Sequence, residues 1–253
     1  MVPRKLWHVR NKWRRHLSLI GSRRVLRHIP PTRLLTRESL RSYLGRYKEV
    51  YIKPIHGSYG NNIMKVSRRR RGYDVQREEQ ITRVGQREVA KAVFRHARSR
   101  TFMIQRGVSI LTNGRRPVDF RILLLRPNDR WELMGIMGKV ATGNRIVTNY
   151  RHGGKPIQLR TALKRAGWSN ADIAKCKASM ERLCLNAAEQ FTKRHRHCRR
   201  LGVDIAVDRN QGMWILEVNT NPEYALFRHH ENKQLHARIE RKMRIIRSKQ
   251  SRS

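Results

Sequence analysis

The alternation of apolar and polar positions along the chain predicts strands and helices in mixed order. Apolar and β-branched runs predict strands; they lie at 50–55, 62–66, 101–108, 118–125, 131–141, 202–208 and 213–219. Apolar residues at three- and four-residue spacing predict helices; these follow Thr36 and cover 86–98, 170–193 and 226–253. The elements do not alternate as regular βαβ units, so the predicted fold class is α+β.

The most unusual bulk property of the chain is its charge. It carries 58 Lys and Arg residues against 18 Asp and Glu, a formal net charge of +40. Such a charge favours polyanionic partners, whether nucleic acid, an anionic surface or an acidic polypeptide. Any single basic run is expected to be a solvated face, whereas the total predicts an acidic partner. No apolar stretch approaches the roughly 20 residues of a membrane span, and the N-terminus lacks the pattern of a secretory signal.

The cysteine content gives little sign of disulfide or metal chemistry. Cys176, Cys184 and Cys198 are an odd number and suit a reducing compartment, so a cytoplasmic location is expected. Cys198 ends the sequence HRHC at 195–198, which offers metal-ligating residue types. Because no second ligand pair stands at zinc-site spacing, a zinc site is not predicted.

A lysine on a predicted strand is followed at once by a glycine-rich turn, in KPIHGSYGNN from Lys53 to Asn62. Such a turn sets an ammonium and backbone N–H groups around a polyphosphate. Gly57 and Gly60 permit close approach, and Ser58 adds a hydroxyl donor. Ordinary hairpins have the same pattern, so the motif alone leaves both interpretations open.

Three oxygen-bearing side chains, Asp204, Glu217 and Asn219, lie on two predicted strands that a polar turn at 210–212 joins, so these strands are expected to be adjacent. Glu217 and Asn219 are two residues apart and therefore project from the same strand face. Carboxylate and amide oxygens suit Mg²⁺ that also binds nucleotide phosphates. In a chain this basic, pairing of the carboxylates with arginines is the alternative.

A further charged group stands in VDFR at 118–121, with Lys139 on a neighbouring predicted strand. Asp119 and Arg121 share a strand face, and cations near a reacting phosphoryl group stabilise its negative charge. Asp119 is suited to orienting a ribose or a lysine, but an ordinary cross-strand ion pair explains these residues equally well. The loop TNYRHGG at 148–154 has the composition of an anion-binding loop or of a plain Gly-Gly loop.

The order and spacing of these motifs resemble the ATP-grasp superfamily. The matching pieces are Lys-Pro-x-x-Gly-Ser-x-Gly from Lys53, Asp-Phe-Arg from Asp119, Asn-x-x-x-Gly-Gly from Asn149, Gly-x-Asp to Asp204 and Glu-x-Asn from Glu217. Within the superfamily they are most similar to the YheC/YheD-like group associated with the endospore coat. The ribosomal-protein glutamate ligases are similar more distantly.

The resemblance implies two α+β subdomains that grip ATP between their sheets. These subdomains are predicted at 29–100, with the phosphate loop, and at 101–225, with the metal site. Segment 1–28 is basic and compatible with either a helix or disorder, and 226–253 is predicted as a basic helix and tail.

The resemblance also implies roles for individual residues. The turn at 57–60 is expected to fold over the ATP phosphates, and the hinge at 105–106 to border the adenine. The residues expected to bind ATP are Lys53, Gly57, Ser58, Tyr59, Gly60, Gln105, Arg106, Asp119 and Asn149. The expected ligands of Mg²⁺ or Mn²⁺ are Asp204, Glu217 and Asn219, and Arg121 is the expected catalytic cation on the acyl-phosphate side. Lys139 is added as a second expected catalytic cation because of its place beside VDFR.

The function implied is a Mg·ATP-dependent carboxylate–amine ligase that acts through an acyl-phosphate. With the charge, it predicts an acidic peptide, protein or polymer as substrate and an association with the forming spore coat. One alternative is a structural or nucleotide-binding coat protein on the same scaffold, since Asn62 replaces a common glycine. The other is a basic protein that binds nucleic acid, although no helix-turn-helix, zinc-finger or RNA-binding signature is present.

Overall fold

The computed structural model describes residues 9–57, 61–97, 100–114, 116–143 and 153–252, and in these ranges the strands form two antiparallel sheets. The strands of the first sheet are β1 Thr32–Leu34, β2 Glu49–Pro54, β3 Met64–Arg68, β4 Tyr73–Arg77, β5 Gln80–Val84 and β6 Phe102–Arg106. Those of the second are β7 Thr112–Asn113, β8 Arg116–Leu125, β9 Glu132–Val140, β10 Lys155–Ile157, β11 Arg200–Val207 and β12 Met213–Asn219. The order is β1-β6-β2-β3-β4-β5 in the first sheet and β10-β9-β8-β11-β12 in the second, where β7 pairs with β8.

Helices cover the sheets and join them. They are α1 Lys12–Leu19, α2 Arg23–Leu26, α3 Arg37–Arg46, α4 Val89–His96, α5 Leu159–Arg165, α6 Asn170–Arg194 and α7 Leu235–Arg252, with a 3₁₀ helix at Ala225–His229. In the described part of the chain, no helix is long and apolar enough to cross a membrane.

The first sheet is covered by α3 and α4 on one face. Strand alternation in β2 directs Val50 and Ile52 into the core beneath these helices, where both are fully buried. Lys53 therefore projects from the opposite face of the sheet. Helix α3 begins with reciprocal hydrogen bonds between Thr36 and Ser39, which satisfy backbone N–H groups at its N-terminus.

The second sheet is buried on both faces over part of its length. Phe120 and Ile122 of β8 belong to the core formed with α5 and α6. Leu123 and Leu125 belong to a separate core formed with α7 and the 3₁₀ helix. By the alternation of β8, Asp119 and Arg121 lie on the same side as Leu123.

Helix α1 connects the two sheets. The side chain of Asn11 caps its first turn by accepting from Arg14 N. The backbone N–H of Lys12 donates to the carbonyl of Ile55, next to β2, at 2.7 Å. The helix also packs against α6 and against β12 of the second sheet. Residues just N-terminal to the predicted subdomain at 29–100 thus contact both sheets.

The predicted α+β class is confirmed, and most predicted elements correspond to observed ones. The predicted strand at 213–219 is β12, and the predicted helix at 170–193 is α6. The hairpin of β4 and β5 was not predicted. Strand β5 is almost entirely exposed, so its sequence lacks the apolar alternation that identifies a strand.

Candidate functional site

Asp204 lies at the centre of a row of charged residues in the second sheet. It faces Arg121 of β8 on one side and Glu217 of β12 on the other as direct cross-strand partners. A register irregularity follows Asp204, between it and Ile205. The sequence predicted that the strands bearing Asp204 and Glu217 are adjacent, and the pairing of β11 with β12 agrees.

Two cations hold the carboxylate of Asp204. Arg121 donates from Nε and Nη2 to the two carboxylate oxygens at 2.7 and 2.9 Å. Lys139 Nζ lies 2.9 Å from Asp204 Oδ1 and 3.0 Å from Asp119 Oδ1. Burial alone raises the pKa of Asp204, but the charges of Arg121 and Lys139 outweigh burial and hold it well below its ordinary value. Asp204 is therefore an anion at neutral pH.

Glu217 and Asn219 are contacted by helix α1. Arg15 donates to Asn219 Oδ1 at 2.8 Å and to Glu217 Oε1 at 3.0 Å, and Lys12 Nζ lies 3.5 Å from Glu217 Oε1. Burial raises the pKa of Glu217, but Lys12 and Arg15 lower it, and the net direction is downward. Glu217 and Asn219 thus share a strand face as predicted, and the pairing of carboxylates with cations that the sequence left open is present.

The first sheet contributes Lys53 and Gln105. Lys53 Nζ donates to Gln105 Oε1 at 2.6 Å, and Gln105 Nε2 donates to Thr32 Oγ1 at 3.1 Å. Burial lowers the pKa of Lys53 to about 8, against the opposing effect of Glu217 and of Asp204 in the second sheet. Carboxylates of the second sheet thus act on Lys53 of the first, and the space between the two sheets at these residues is called here the cleft.

Arg106 links the two sheets at the side of the cleft. Its guanidinium lies 4.9 Å from the ring centroid of Trp214 in β12 and 5.9 Å from that of Tyr47. A cation over aromatic faces in this way stabilises the contact between strands of different sheets. Trp214 was not among the predicted site residues.

The start of the glycine-rich turn also meets α1. Gly57 has φ +114, a conformation that side chains rarely adopt, and its carbonyl accepts from Lys12 Nζ at 2.7 Å. Ser58, Tyr59, Gly60 and Asn149 lie outside the described residues. Their predicted contacts with ATP stay predictions.

A profile of the YheC/D-like ATP-grasp family matches residues 7–244. The chain belongs to the YheC/D-like ATP-grasp family. The endospore coat-associated protein YheD of Bacillus subtilis (strain 168) is 27% identical over 231 residues, which are 87% of this chain and 49% of that protein. The chain thus spans about half the length of this curated relative. The resemblance read from the motifs is confirmed.

Solved structures of synthetases and ligases share the fold. D-cycloserine synthetase DcsG has a TM-score of 0.57 and 12% identity, over 93% of this chain and 70% of that chain. D-alanyl-alanine synthetase A of Vibrio cholerae O1 biovar eltor has a TM-score of 0.57 and 10% identity, over 94% and 65%. The L-amino acid ligase of Bacillus licheniformis has a TM-score of 0.51 and 12% identity, over 89% and 43%. At these identities the likeness establishes the ATP-grasp fold alone.

The oxygens of Asp204, Glu217 and Asn219 are of the kind that binds a hard divalent cation. The candidate ligands are two carboxylates, each with a depressed pKa, and one amide on two paired strands. Among the described residues, no group of three His, Cys, Asp or Glu side chains is arranged to hold a metal. A metal at Asp204, Glu217 and Asn219 therefore depends on the amide of Asn219 and on oxygens from a bound ligand.

The charged side chains of the cleft carry a net positive charge. Within the described residues, four cations form ion pairs with three carboxylates around Asp204 and Glu217. A fifth cation, Lys53, interacts with the same carboxylates electrostatically. The five cations are Lys12, Arg15, Lys53, Arg121 and Lys139, and the carboxylates are Asp119, Asp204 and Glu217. An excess of cations in a low-dielectric cleft attracts a polyanion such as a nucleotide triphosphate.

Sequence reasoning missed Lys12 and Arg15. Both are at most 7% exposed, although the surrounding segment looked only like a basic helix or a disordered stretch. Their spacing of three places them on one helix face, next to the cap residue Asn11. That spacing was the available signal, but it does not reveal which strand the face contacts.

The three cysteines are shielded from solvent. Cys176, Cys184 and Cys198 are free and buried. Cys198 Sγ lies 3.4 Å from the carbonyl of Arg200, and burial raises the pKa of its thiol to about 12. A thiol that stays protonated is a poor nucleophile. The segment HRHC at 195–198 directly follows α6.

Proposed function

We propose that this chain is a Mg²⁺- and ATP-dependent carboxylate–amine ligase. The observation that carries the proposal is the arrangement of Lys53 on the first sheet opposite the anionic row of Asp204 and Glu217 on the second. The ligase and synthetase names among the structural neighbours support the same reaction class.

In this proposal, the cations of the cleft bind the ATP phosphates. Lys53 supplies an ammonium held in place by Gln105, and the turn that begins at Gly57 covers the phosphates. Asp119 contacts the nucleotide, as does Asn149, and Arg106 stands beside the adenine. The ordered contacts of Lys53 and Arg106 reduce the reorganisation that binding requires.

Asp204, Glu217 and Asn219 would hold Mg²⁺ or Mn²⁺. The metal would neutralise phosphate charge and polarise the reacting phosphoryl group. Asp204 is kept anionic and oriented by Arg121 and Lys139, whose charges also lie beside the proposed reaction centre. These two cations stabilise negative charge that develops on the transferred group.

The reaction proposed has two steps. A substrate carboxylate oxygen attacks the γ-phosphorus of ATP, the bond from that phosphorus to the bridging oxygen breaks, and ADP leaves. The amine then attacks the acyl carbon, phosphate departs with the electron pair of the broken bond, and the nitrogen loses a proton. Holding both reactants in one cleft accelerates each step through proximity.

The substrate proposed is an acidic peptide, protein or polymer. The net charge of +40 supports an acidic partner, because it attracts such molecules over long range. The name of the Bacillus subtilis relative supports a place at the forming spore coat.

Trapping of the acyl-phosphate tests this proposal. The protein is incubated with ATP, Mg²⁺, an oligoglutamate peptide and hydroxylamine, and hydroxamate and ADP are measured. Formation of both by the wild type and by the surface variant Arg41→Gln, but not by Glu217→Gln, is the expected result.

A nucleotide-binding protein without turnover is the second candidate. The contacts of Lys12 and Arg15 with Glu217 favour it, because both engage Glu217 Oε1, one of the oxygens that a metal would use. Nucleotide binding by folded protein without hydroxamate or ADP, over a panel of acidic peptides, would support this candidate against the ligase.

A further inference from the structure

Two arginines face each other at the end of the second sheet. Arg126 follows β8, Arg199 precedes β11, and Arg126 N donates to the carbonyl of Arg199 at 2.8 Å. Their position continues the register in which Arg200 pairs with Leu125. Directly opposed residues of antiparallel strands project from the same face. Arg126 and Arg199 are named here the arginine pair.

The arginine pair is largely shielded from water. The side chains are 10% and 17% exposed, respectively. The guanidinium of Arg126 lies 5.7 Å from the ring centroid of Trp131 and donates to the carbonyl of Arg196. Arg199 Nη1 donates to the carbonyl of Arg126 at 3.4 Å. Like charges held opposite each other with little water destabilise a sheet unless an anion compensates them.

The compensation observed in the described residues is incomplete. Asp129 Oδ1 lies 3.1 Å from Arg199 and 3.9 Å from Arg126, but its side chain is 75% exposed. The Nε atoms of Arg126 and Arg199 are buried without a hydrogen-bond partner in the described part of the chain. Lys249 adds a third cation, since its Nζ donates to the carbonyl of Pro127 at 2.9 Å.

The arginine pair is separate from the nucleotide cleft. Arg126 is five positions beyond Arg121, which corresponds to roughly 17 Å at the rise of a strand. An odd number of positions also places the two side chains on opposite faces of the sheet. A ligand of the pair therefore does not occupy the site proposed for ATP.

We propose that the arginine pair is a binding site for the acidic side chains of a polypeptide partner. Arg199 already donates to a carboxylate, that of Asp129, at 3.1 Å, and Arg126 lies 3.9 Å from the same oxygen, so the pair can approach a carboxylate from both sides. Guanidinium groups bind carboxylates through paired, charge-assisted hydrogen bonds. A sheltered pair admits one protruding carboxylate at a time, whereas a nucleic-acid backbone is bound along rows of exposed cations. This proposal does not depend on turnover in the nucleotide cleft.

Binding of a dye-labelled oligoglutamate peptide to the whole chain, followed by fluorescence anisotropy at physiological salt, tests the site. Arg199→Gln removes the charge-assisted hydrogen bonds to a bound carboxylate, so it is expected to weaken the binding of oligoglutamate by about tenfold. Asp129→Asn removes the internal competitor, so it should tighten binding by about threefold. Asn is well tolerated at the φ of +58 found at Asp129, so the second variant tests the site without removing a buried cation.

Two exposed positions supply variants with the same charge changes. Arg41→Gln matches Arg199→Gln, and Glu231→Gln matches Asp129→Asn; both residues are exposed and distant in sequence. Neither should change the affinity for oligoglutamate. If Arg41→Gln and Glu231→Gln change this affinity as much as Arg199→Gln and Asp129→Asn do, binding depends on the overall charge of the protein, and the proposal is overturned. Tighter binding of an equally long oligothymidylate, with the same dependence on Arg199, would also overturn it and assign the site to nucleic acid.

Discussion

Glu217 is contacted by cations from α1 and stands where a metal ligand is expected. Lys12 and Arg15 approach one of its carboxylate oxygens, and Arg15 also binds Asn219. A divalent cation at these oxygens must displace or share the guanidinium. The contacts of Arg15 therefore determine how easily the site accepts a metal.

Arg15→Ala is expected to tighten the binding of Mn²⁺ to the nucleotide-free protein by about tenfold, equivalent to about 1.4 kcal/mol. The variant removes the competitor for Glu217 Oε1 and Asn219 Oδ1. Electron paramagnetic resonance of free Mn²⁺ measures the affinity. Arg14→Ala is the control, because Arg14 is exposed on the same helix. Unchanged or weaker Mn²⁺ binding in Arg15→Ala contradicts the competition.

Lys53 gives the site a pH dependence. Its pKa in the folded protein is about 8, below the ordinary value of 10.5, because burial disfavours the charged form. In the proposed site ATP binds the protonated lysine, so above pH 8 a proton must be taken up on binding. The affinity for ATP is expected to fall as pH rises from 8 to 9, by up to about tenfold per unit.

Calorimetry in buffers of different ionisation enthalpy measures this proton uptake. Lys53→Arg is the matched variant, since arginine stays charged throughout this range. It should show little change of affinity between pH 8 and 9. An equal fall in the variant and the wild type would assign the pH dependence to another group.

At the scale of elements, α1 is a link between the sheets. Lys12 joins it to Ile55 and Gly57 beside the first sheet, and Arg15 joins it to β12 of the second. Helix α1 has eight residues, so its order depends on its cap and on packing rather than on intrinsic propensity.

Asn11→Ala is expected to destabilise α1 by about 1 kcal/mol, because Asn11 accepts from Arg14 N at the N-terminus. Hydrogen exchange of residues 12–19 should accelerate, and chemical denaturation measures the loss of stability. Thr36→Ala removes the corresponding cap of α3 and should leave exchange in α1 unchanged. If both variants accelerate exchange in α1 equally, the cap of Asn11 has no local role.

The four longest strands of the second sheet, β8, β9, β11 and β12, were predictable because each is a continuous run of mostly apolar residues, whereas the short strands β7 and β10 were not predicted. Strand β12 and its pairing with β11 followed from two short runs joined by a polar turn, and this pairing brought Asp204 to Glu217. The position of α1 was not predictable, because the contacts of Arg15 with Glu217 and Asn219 join residues about two hundred positions apart. The roles of Ser58 and Asn149 stay predictions from the motifs.

At the scale of the whole molecule, the net charge of +40 destabilises the folded state as well as attracting acidic partners. Cations that lie within a Debye length repel each other in the folded state, where they are closer together than in the unfolded chain. Buried clusters such as the arginine pair add to this repulsion.

The free energy of unfolding is therefore expected to rise by about 1 kcal/mol or more between 50 and 500 mM NaCl. Urea denaturation at each salt concentration measures it, because urea is uncharged. A fall in stability with salt would mean that the ion pairs around Asp204 and Glu217 outweigh the repulsion of the whole molecule.

The central claim, a metal-dependent ATP site between the two sheets, is tested most directly by calorimetric titration with ATP in the presence and absence of Mg²⁺. The wild type is compared with Lys53→Ala and Glu217→Gln, and Arg41→Gln serves as the surface control. Metal-dependent binding in the wild type and control, lost in both site variants, is the predicted result. Folded wild-type protein that shows no binding at millimolar ATP with Mg²⁺ would contradict the account.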